Sequence, residues 1–253
     1  MSEISITQAE FEQFRALMHR AAGVDLPPQK ISLVSGRLAR RLRALGLASF
    51  GDYHRLVSSA GAHDEFERMV DLLTTHETYF FREPKHFDFL AESVLPALGR
   101  TRTPRFWSAA SSSGEEAYSL AMVLADRLGG DAPWEVFGSD ISREVVEKAR
   151  GGVYAMNRID GIPPDYLRRY CLRGVGSRDG TLQVDAALRR RVRFAQVNRE
   201  AEQFVGFGHR FGGQDLADAH FDFGEIVNPD VTRLRRGWLN GGCRSGFCRR
   251  SGR

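Results

Sequence analysis

Two short acidic and small-residue clusters in this chain have the composition and spacing of a ligand site. The first is SAASSSGEEAYSLA, Ser108 to Ala121. Small residues end a strand-like run, Gly114 turns the chain, and Glu115 and Glu116 open a helix-like run. Small side chains let a ligand approach the backbone closely. A strand, a small loop and a helix place that ligand at the carboxyl end of the strand, where doubly wound folds bind nucleotides. The loop is not GxGxxG, and carboxylates at the helix start would repel a pyrophosphate held there. A cofactor with cationic groups and no phosphate fits better, and S-adenosylmethionine, with its sulfonium and ammonium, meets both conditions. Glu115 and Glu116 also read simply as compensation of the helix dipole. The second cluster is Asp140, which ends WEVFGSD, the next strand-like run. An acid there can accept hydrogen bonds from ribose hydroxyls, or it can cap the helix that follows, a role Ser139 or Ser142 could share.

A third stretch, LLTTHETYFFREPKHFDFL, carries Tyr79, Phe80 and Phe81 in a row, followed by Arg82. Such a run fits neither a helix face nor a strand alternation. It reads as a hydrophobic hinge between two domains or as part of a pocket, in which Arg82 can fix a carboxylate through two parallel hydrogen bonds.

The elements that must position these residues follow from periodicity. Ser5 to Thr75 reads as all helix. Thr7 caps a first helix with Phe11, Phe14, Leu17 and Met18 at helical spacing, and Gly23 ends it. Pro28 opens a second helix, which runs to Gly46 with Ile31, Leu33, Val34, Leu38, Leu42 and Leu45 as its apolar side. Further helices are expected at Ser49–Ala60 and His63–Leu73. From Thr75 the pattern changes to strands alternating with helices: strand Arg105–Ala109, helix Glu115–Leu128, strand Trp134–Gly138, helix Ser142–Arg150, helix Pro163–Cys171, strands Thr181–Val184 and Val192–Val197. That alternation predicts a parallel sheet with helical cover. From Arg199 the chain turns Gly- and Arg-rich and loses periodicity, so residues 199–253 are expected not to pack as regular structure.

Composition sets the bounds. The chain has 253 residues, 42% of them hydrophobic and 27% charged, as in ordinary globular proteins. No stretch is long and apolar enough to span a membrane, and MSEISITQAEFEQF lacks the pattern of a secretory signal. A cytoplasmic location without membrane insertion is therefore expected. Cys171, Cys243 and Cys248 form neither a disulfide framework nor a CxxC pair, which argues against structural zinc. The net charge of +4 is too small and too dispersed to indicate nucleic-acid binding.

With these residues in view, the chain resembles the CheR-type protein-glutamate O-methyltransferases of chemotaxis over about residues 11–198. The resemblance rests on TTHETYFFRE, RFWSAASSSGEEAYSLAM, FGSDISREVVEKARGGVY, and YLRRYCLRG followed by VRFAQVN. It implies an α/β, Rossmann-like S-adenosylmethionine-dependent methyltransferase domain, apparently incomplete, over 76–198, preceded by a small all-helical receptor-docking domain over 1–75. It implies a cofactor site of His76, Thr78, Arg82, Glu116, Asp140 and Asn198, with S-adenosyl-L-homocysteine as product and Arg82 as the one candidate catalytic residue. His76 stands where the family usually has asparagine, and Arg199 where leucine is usual. The partners implied are the cytoplasmic helices of methyl-accepting receptors, met by the basic side chains Arg37, Arg40, Arg41 and Arg43. A monomer without metal is expected.

After VRFAQVN the resemblance calls for another core strand, a motif of the type FCRNVxIYF, final strands and a small β-subdomain. None is legible there; HFDFGEIVNPDV, His220 to Val231, does not match. A frameshift, truncation or gene-model error near Arg199 would account for the break, and impaired activity is the expectation. The competing readings are a catalytically inactive receptor-binding module and, more remotely, an adenosine-ligand sensor.

Overall fold

The computed structural model describes residues 4–75, 77–98 and 103–197. Two hydrophobic clusters divide these residues. The first is helical: α1 (Gln8–Ala22), α2 (Ile31–Leu45), α3 (Phe50–Val57) and α4 (His63–Leu73) enclose Phe11, Phe14, Met18, Val34, Leu38, Phe50, Tyr53 and Met69. Burying each such side chain contributes about 1.5–3 kcal/mol. Thr7 starts α1 with a reciprocal capping box. Its Oγ accepts from the Glu10 amide at 3.2 Å, and its own amide donates to Glu10 Oε2 at 2.9 Å. Pro28 lies in a 3₁₀ turn, Pro28–Lys30, directly ahead of α2. The third helix is shorter than the expected Ser49–Ala60, because its Ser49 Oγ already accepts from the Asp52 amide and so stands outside as the cap.

Two arginines of α2 are tied into this unit. Arg37 donates to the carbonyls of Leu72 (3.2 Å) and Thr74 (2.8 Å), satisfying the end of α4. Arg41 holds Glu65 with two bonds, Nε to Oε1 at 2.8 Å and Nη2 to Oε2 at 2.5 Å, and the buried Tyr53 hydroxyl donates to Glu65 Oε1 at 2.8 Å. The Arg41 hydrogen bond is the main reason that the Glu65 carboxyl titrates below its ordinary value, against the opposing effect of burial. A depressed carboxyl stabilises the fold above its unfolded pKa and loses that contribution as pH falls through the folded value. Glu65→Gln is therefore expected to cost about 1–3 kcal/mol near neutrality. The gap to the parent protein should close as pH drops below about 4.5, which thermal melts across pH would check.

The second cluster belongs to an α/β unit. A π-helical stretch, Leu90–Val94, separates α5 (Pro84–Phe89) from α6 (Leu95–Ala97). Then come β1 (Arg105–Ala109), α7 (Glu115–Leu128), β2 (Glu135–Asp140) and α8 (Arg143–Gly151), and, farther on, α10 (Ala186–Arg189) and β6 (Val192–Gln196), numbered with the insertion described below. The strands β1, β2 and β6 form a parallel sheet in that order, with Ser108 beside Gly138 and Gly138 beside Phe194. The helix α7 is buried from Ala117 through Ala125, on all sides rather than on the one expected; a helix apolar all round is a core helix. Trp134 is buried but precedes its strand, donating from Nε1 to the Gly129 carbonyl at 3.1 Å, so the second strand is Glu135–Asp140 rather than Trp134–Gly138.

The expected single parallel sheet needs one larger correction. Thr181–Val184 (β5) does not join it. It is the middle strand of a separate antiparallel sheet, between β3 (Val153–Ala155) and β4 (Cys171–Arg173). Both flanking strands have only three residues, too short for an alternation to be legible. Between β3 and β4, α9 covers Pro164–Tyr170, two residues tighter than Pro163–Cys171 because Cys171 already pairs with Val184. A small antiparallel sheet thus lies within residues 153–184. The tail expected from Arg199 lies outside the described residues.

The two units touch among the described residues. Arg68 pairs with Glu144 at 3.0 Å, Gln196 Nε2 donates to Glu67 Oε1 at 2.9 Å, and Ile141 packs on the helical cluster. The aromatic run does not form that junction. Phe80 and Phe81 are buried in the α/β cluster, and Tyr79 is exposed. Neighbouring aromatics here divide between the core and the surface, which adjacency alone cannot assign.

Candidate functional site

The carboxyl ends of β1, β2 and β6 lie side by side in the parallel sheet. After β1 the chain runs through Ala110–Gly114 into α7. Ala110 and Ser112 adopt left-handed backbone with φ of 54° and 48°. Each costs on the order of 1–3 kcal/mol and persists only where neighbours over-determine it. Asp140 does that for Ser112. It is buried, its Oδ2 accepts from the Ser112 amide at 2.9 Å, and its Oδ1 accepts from the Ser142 amide at 3.0 Å. The helix cap considered as an alternative role belongs to Ser142, whose Oγ accepts from the Val145 amide at 3.3 Å. Each carboxylate oxygen of Asp140 has used one acceptor position, which leaves the others for hydroxyl donors.

Glu115 and Glu116 separate in role. Glu115 is fully buried beneath the loop; Ser113 Oγ donates to its Oε2 at 2.6 Å, and Arg158 Nη2 stands 2.6 Å from its Oε1. The dipole reading alone does not explain that burial. Glu116 is half-buried and accepts from Ser108 Oγ at 2.6 Å. Burial pushes the carboxyls of both glutamates above their ordinary values, with the hydroxyl bonds and nearby arginines opposing: Arg158 for Glu115 and Arg82 for Glu116.

Arg82 is exposed, donates to the Glu77 carbonyl at 3.0 Å and lies over the Tyr79 ring, 5.9 Å from its centroid. Thr78 is half-buried, and its carbonyl accepts from Arg158 Nη2 at 2.8 Å. The segment that carries them is joined to α7 by the Phe81 amide, which donates to Ser119 Oγ at 3.0 Å. His76 and Asn198 lie outside the described residues. Of the four arginines on α2, Arg37 and Arg41 bond within the helical unit. Arg40 and Arg43 are exposed and make no ion pair among the described residues.

This cleft edge suits a cationic adenosine ligand better than a phosphate. The Ser111, Ser112 and Gly114 amides already donate to Ser139 O, Asp140 and Ser111 O. Those three amides are not available to a pyrophosphate. Glu116 and Asp140 add carboxylates beside them. Ser111 Oγ is buried without a hydrogen-bond partner among the described residues, a polar atom available to a ligand. The participation of Arg158, Tyr154 and Ser119 was not legible in the sequence; Arg158 is far along the chain from both segments it touches.

Comparison with known proteins agrees with this geometry. Residues 9–74 match the family model described as "CheR methyltransferase, all-alpha domain". Residues 76–206 match "CheR methyltransferase, SAM binding domain". The chemotaxis protein methyltransferase of Escherichia coli is 43% identical over 204 residues, spanning 80% of this chain and 70% of that protein. Chemotaxis protein methyltransferase 2 of Pseudomonas aeruginosa is 40% identical over 197 residues, 78% of this chain and 70% of the relative. The Borreliella burgdorferi chemotaxis protein methyltransferase is 32% identical over 210 residues, 79% and 73% of the two chains. With an all-helical unit and an α/β unit matched in order, and with acids rather than phosphate ligands at the strand ends, this chain belongs to the CheR family of S-adenosylmethionine-dependent methyltransferases.

Proposed function

We propose that the protein methylates glutamate side chains on the cytoplasmic helices of methyl-accepting chemotaxis receptors, forming methyl esters, and that it works in the cytoplasm as a monomer. The observation that supports this most is the pairing of Asp140 with a strained small-residue loop beside Glu116, at the ends of adjacent parallel strands. In this reading Asp140 accepts from the ribose hydroxyls and Glu116 faces the cationic end of the cofactor. His76, Thr78, Arg82 and Asn198 complete the site.

The cofactor supplies a sulfonium methyl, already activated. A glutamate carboxylate, with an ordinary pKa of about 4.3, is ionised at neutral pH and needs no general base. The residues of the chain then have only to orient the carboxylate, exclude water and leave it nucleophilic. Arg82 is suited to orienting it, since a guanidinium holds a carboxylate by two parallel bonds without giving up a proton to it.

Receptor docking is assigned to Arg40 and Arg43, the two α2 arginines that remain exposed. A basic helix favours encounter with acidic receptor helices. Arg40→Glu with Arg43→Glu is expected to slow receptor methylation about ten-fold at low salt, with S-adenosylhomocysteine affinity retained. Initial rates at several receptor concentrations would check this.

The experiment for the reaction itself uses receptor-containing membranes and S-adenosylmethionine carrying a tritiated methyl. Label should enter the receptor and leave it in alkali as methanol, the behaviour of an ester. Label that resists alkali, or that enters a receptor whose methylatable glutamates are replaced by alanine, would refute the proposal. A docking module without activity is the second reading, because residues 207–253 fall outside both family matches. It predicts receptor binding without label.

A further inference from the structure

Arg158 connects the two halves of the cofactor cleft. It follows β3, and its Nη2 reaches both the Thr78 carbonyl, at 2.8 Å, and Glu115 Oε1, at 2.6 Å. Neither of those groups is among the expected cofactor ligands' side chains, yet each adjoins one: Thr78 begins the segment that carries Arg82, and Glu115 precedes Glu116.

The neighbours of Arg158 hold the same segment. The Phe80 ring packs edge-on against Tyr154, with centroids 4.8 Å apart. Gly161 lies so close beneath Phe80 that a Cβ at that position would stand 2.0 Å from the Phe80 carbonyl oxygen. The Tyr154 hydroxyl donates to the Ser113 carbonyl at 2.8 Å, which ties this stretch to the β1–α7 loop as well. Residues 154–161 thus form a strap across the Thr78–Arg82 segment on one side, while Ser119 of α7 binds it on the other.

The segment needs such restraint. Phe81 and Glu83 adopt left-handed backbone, with φ of 54° and 56°, a conformation that bulky residues hold only when their surroundings impose it. Glu115 needs a cation in turn, because its side chain is completely buried and a buried carboxylate without a partner is costly.

We propose that Arg158 is a positioning residue for the cofactor: by pairing buried Glu115 while holding the Thr78 carbonyl, it fixes the Thr78–Arg82 segment against the Glu116 end of the cleft. The assignment rests on reading this cleft as the S-adenosylmethionine site. Arginine suits this role because its guanidinium stays charged beside Glu115 while Nη2 donates to the Thr78 carbonyl.

The test is calorimetric titration with S-adenosylhomocysteine of the parent chain, Arg158→Ala, Arg158→Lys, and Arg158→Ala combined with Glu115→Gln. Arg158→Ala is expected to weaken binding roughly ten-fold or more and to lower the thermal melt by leaving buried Glu115 unpaired; Arg158→Lys should recover part of both losses, and the double variant should recover the melt but not the affinity. Without its cation, Glu115 should also make the affinity of Arg158→Ala depend on pH where that buried carboxyl titrates, above its ordinary value. In the double variant, which removes both charges and with them the risk of misfolding around an unpaired acid, that dependence should vanish.

Parent-like affinity in Arg158→Ala would overturn the inference while leaving the cofactor reading intact. So would an affinity loss in the double variant with the same pH profile as in Arg158→Ala. Absence of binding by the parent chain would instead remove the cofactor reading, and this inference with it.

Discussion

Asp140→Ala is expected to abolish measurable binding of S-adenosylhomocysteine and to lower the melting temperature. Two effects act together. The carboxylate is buried, and it accepts from the Ser112 and Ser142 amides. Hydrogen bonds to a charged group contribute about 1.5–3 kcal/mol each, so losing both costs about 3–6 kcal/mol before relaxation. Ser112 then loses the bond that holds its φ of 48°, and the loop relaxes away from the geometry that lets a ligand approach. The ligand also loses the acceptor for its ribose hydroxyls. An affinity loss of about 100-fold or more is expected, since a site built around hydrogen bonds suffers heavily when one partner is removed. Asp140→Asn separates the two effects. It retains the side-chain volume and one acceptor oxygen, but its amide nitrogen faces one of the two backbone donors, so it should lose less stability than Asp140→Ala while still binding poorly. Parallel calorimetry and thermal melts of the two variants would show this. Equal affinity in both variants and the parent would exclude Asp140 from the site.

Gly114→Ala should lower both stability and cofactor affinity. The residue has φ of 92°, and an added Cβ would lie 2.8 Å from Ala149 Cβ and 3.0 Å from Phe194 Cζ. The backbone conformation costs a non-glycine residue about 1–2 kcal/mol, and overpacking adds about 1–3 kcal/mol. Relief requires α7 to shift away from α8 and β6, and Glu116 shifts with it, so cofactor affinity should fall alongside stability. Gly36→Ala in α2 is the control. Its Cβ would meet nothing within 4 Å, and alanine in a helix interior is favoured over glycine by about 0.5–1 kcal/mol. The two substitutions should therefore move the melting temperature in opposite directions. A parent-like melt for Gly114→Ala would show that the β1–α7 turn is looser than its contacts imply.

Much of this architecture can be read from local pattern, because the patterns here are strong. The helix Gln8–Ala22 has a capping box at one end and a glycine at the other. The run Arg105–Ala109 and the helix Glu115–Leu128 appear where strand and helix periodicity place them. The failures share a cause, which is that partner choice is not local. Thr181–Val184 has the pattern of a strand, but nothing in it specifies an antiparallel sheet with β3 and β4 over the parallel sheet with β1 and β2. The arginine run on α2 reads as one basic face, yet Arg37 and Arg41 face acceptors on α4 and its end, which lie far along the chain.

The candidate site follows the same rule. Glu116 and Asp140 stand out because each adjoins a turn with a recognisable composition. The separate burial of Glu115, and its pairing with Arg158, depend on how a segment inserted after α8 folds back. The small residues of the loop are legible as room for a ligand. The left-handed backbone at Ala110 and Ser112 is not, since neither residue type announces it.

Whether the cleft beside Glu116 and Asp140 takes a cationic adenosine ligand is decided by calorimetric titration of the full chain with S-adenosylhomocysteine, run beside Glu116→Ala and adenosine diphosphate. Saturable single-site binding of S-adenosylhomocysteine by the parent chain is predicted, with its loss in Glu116→Ala and no binding of the phosphate-bearing nucleotide. No heat and no thermal shift with S-adenosylhomocysteine, or tighter binding of the diphosphate, would contradict the assignment.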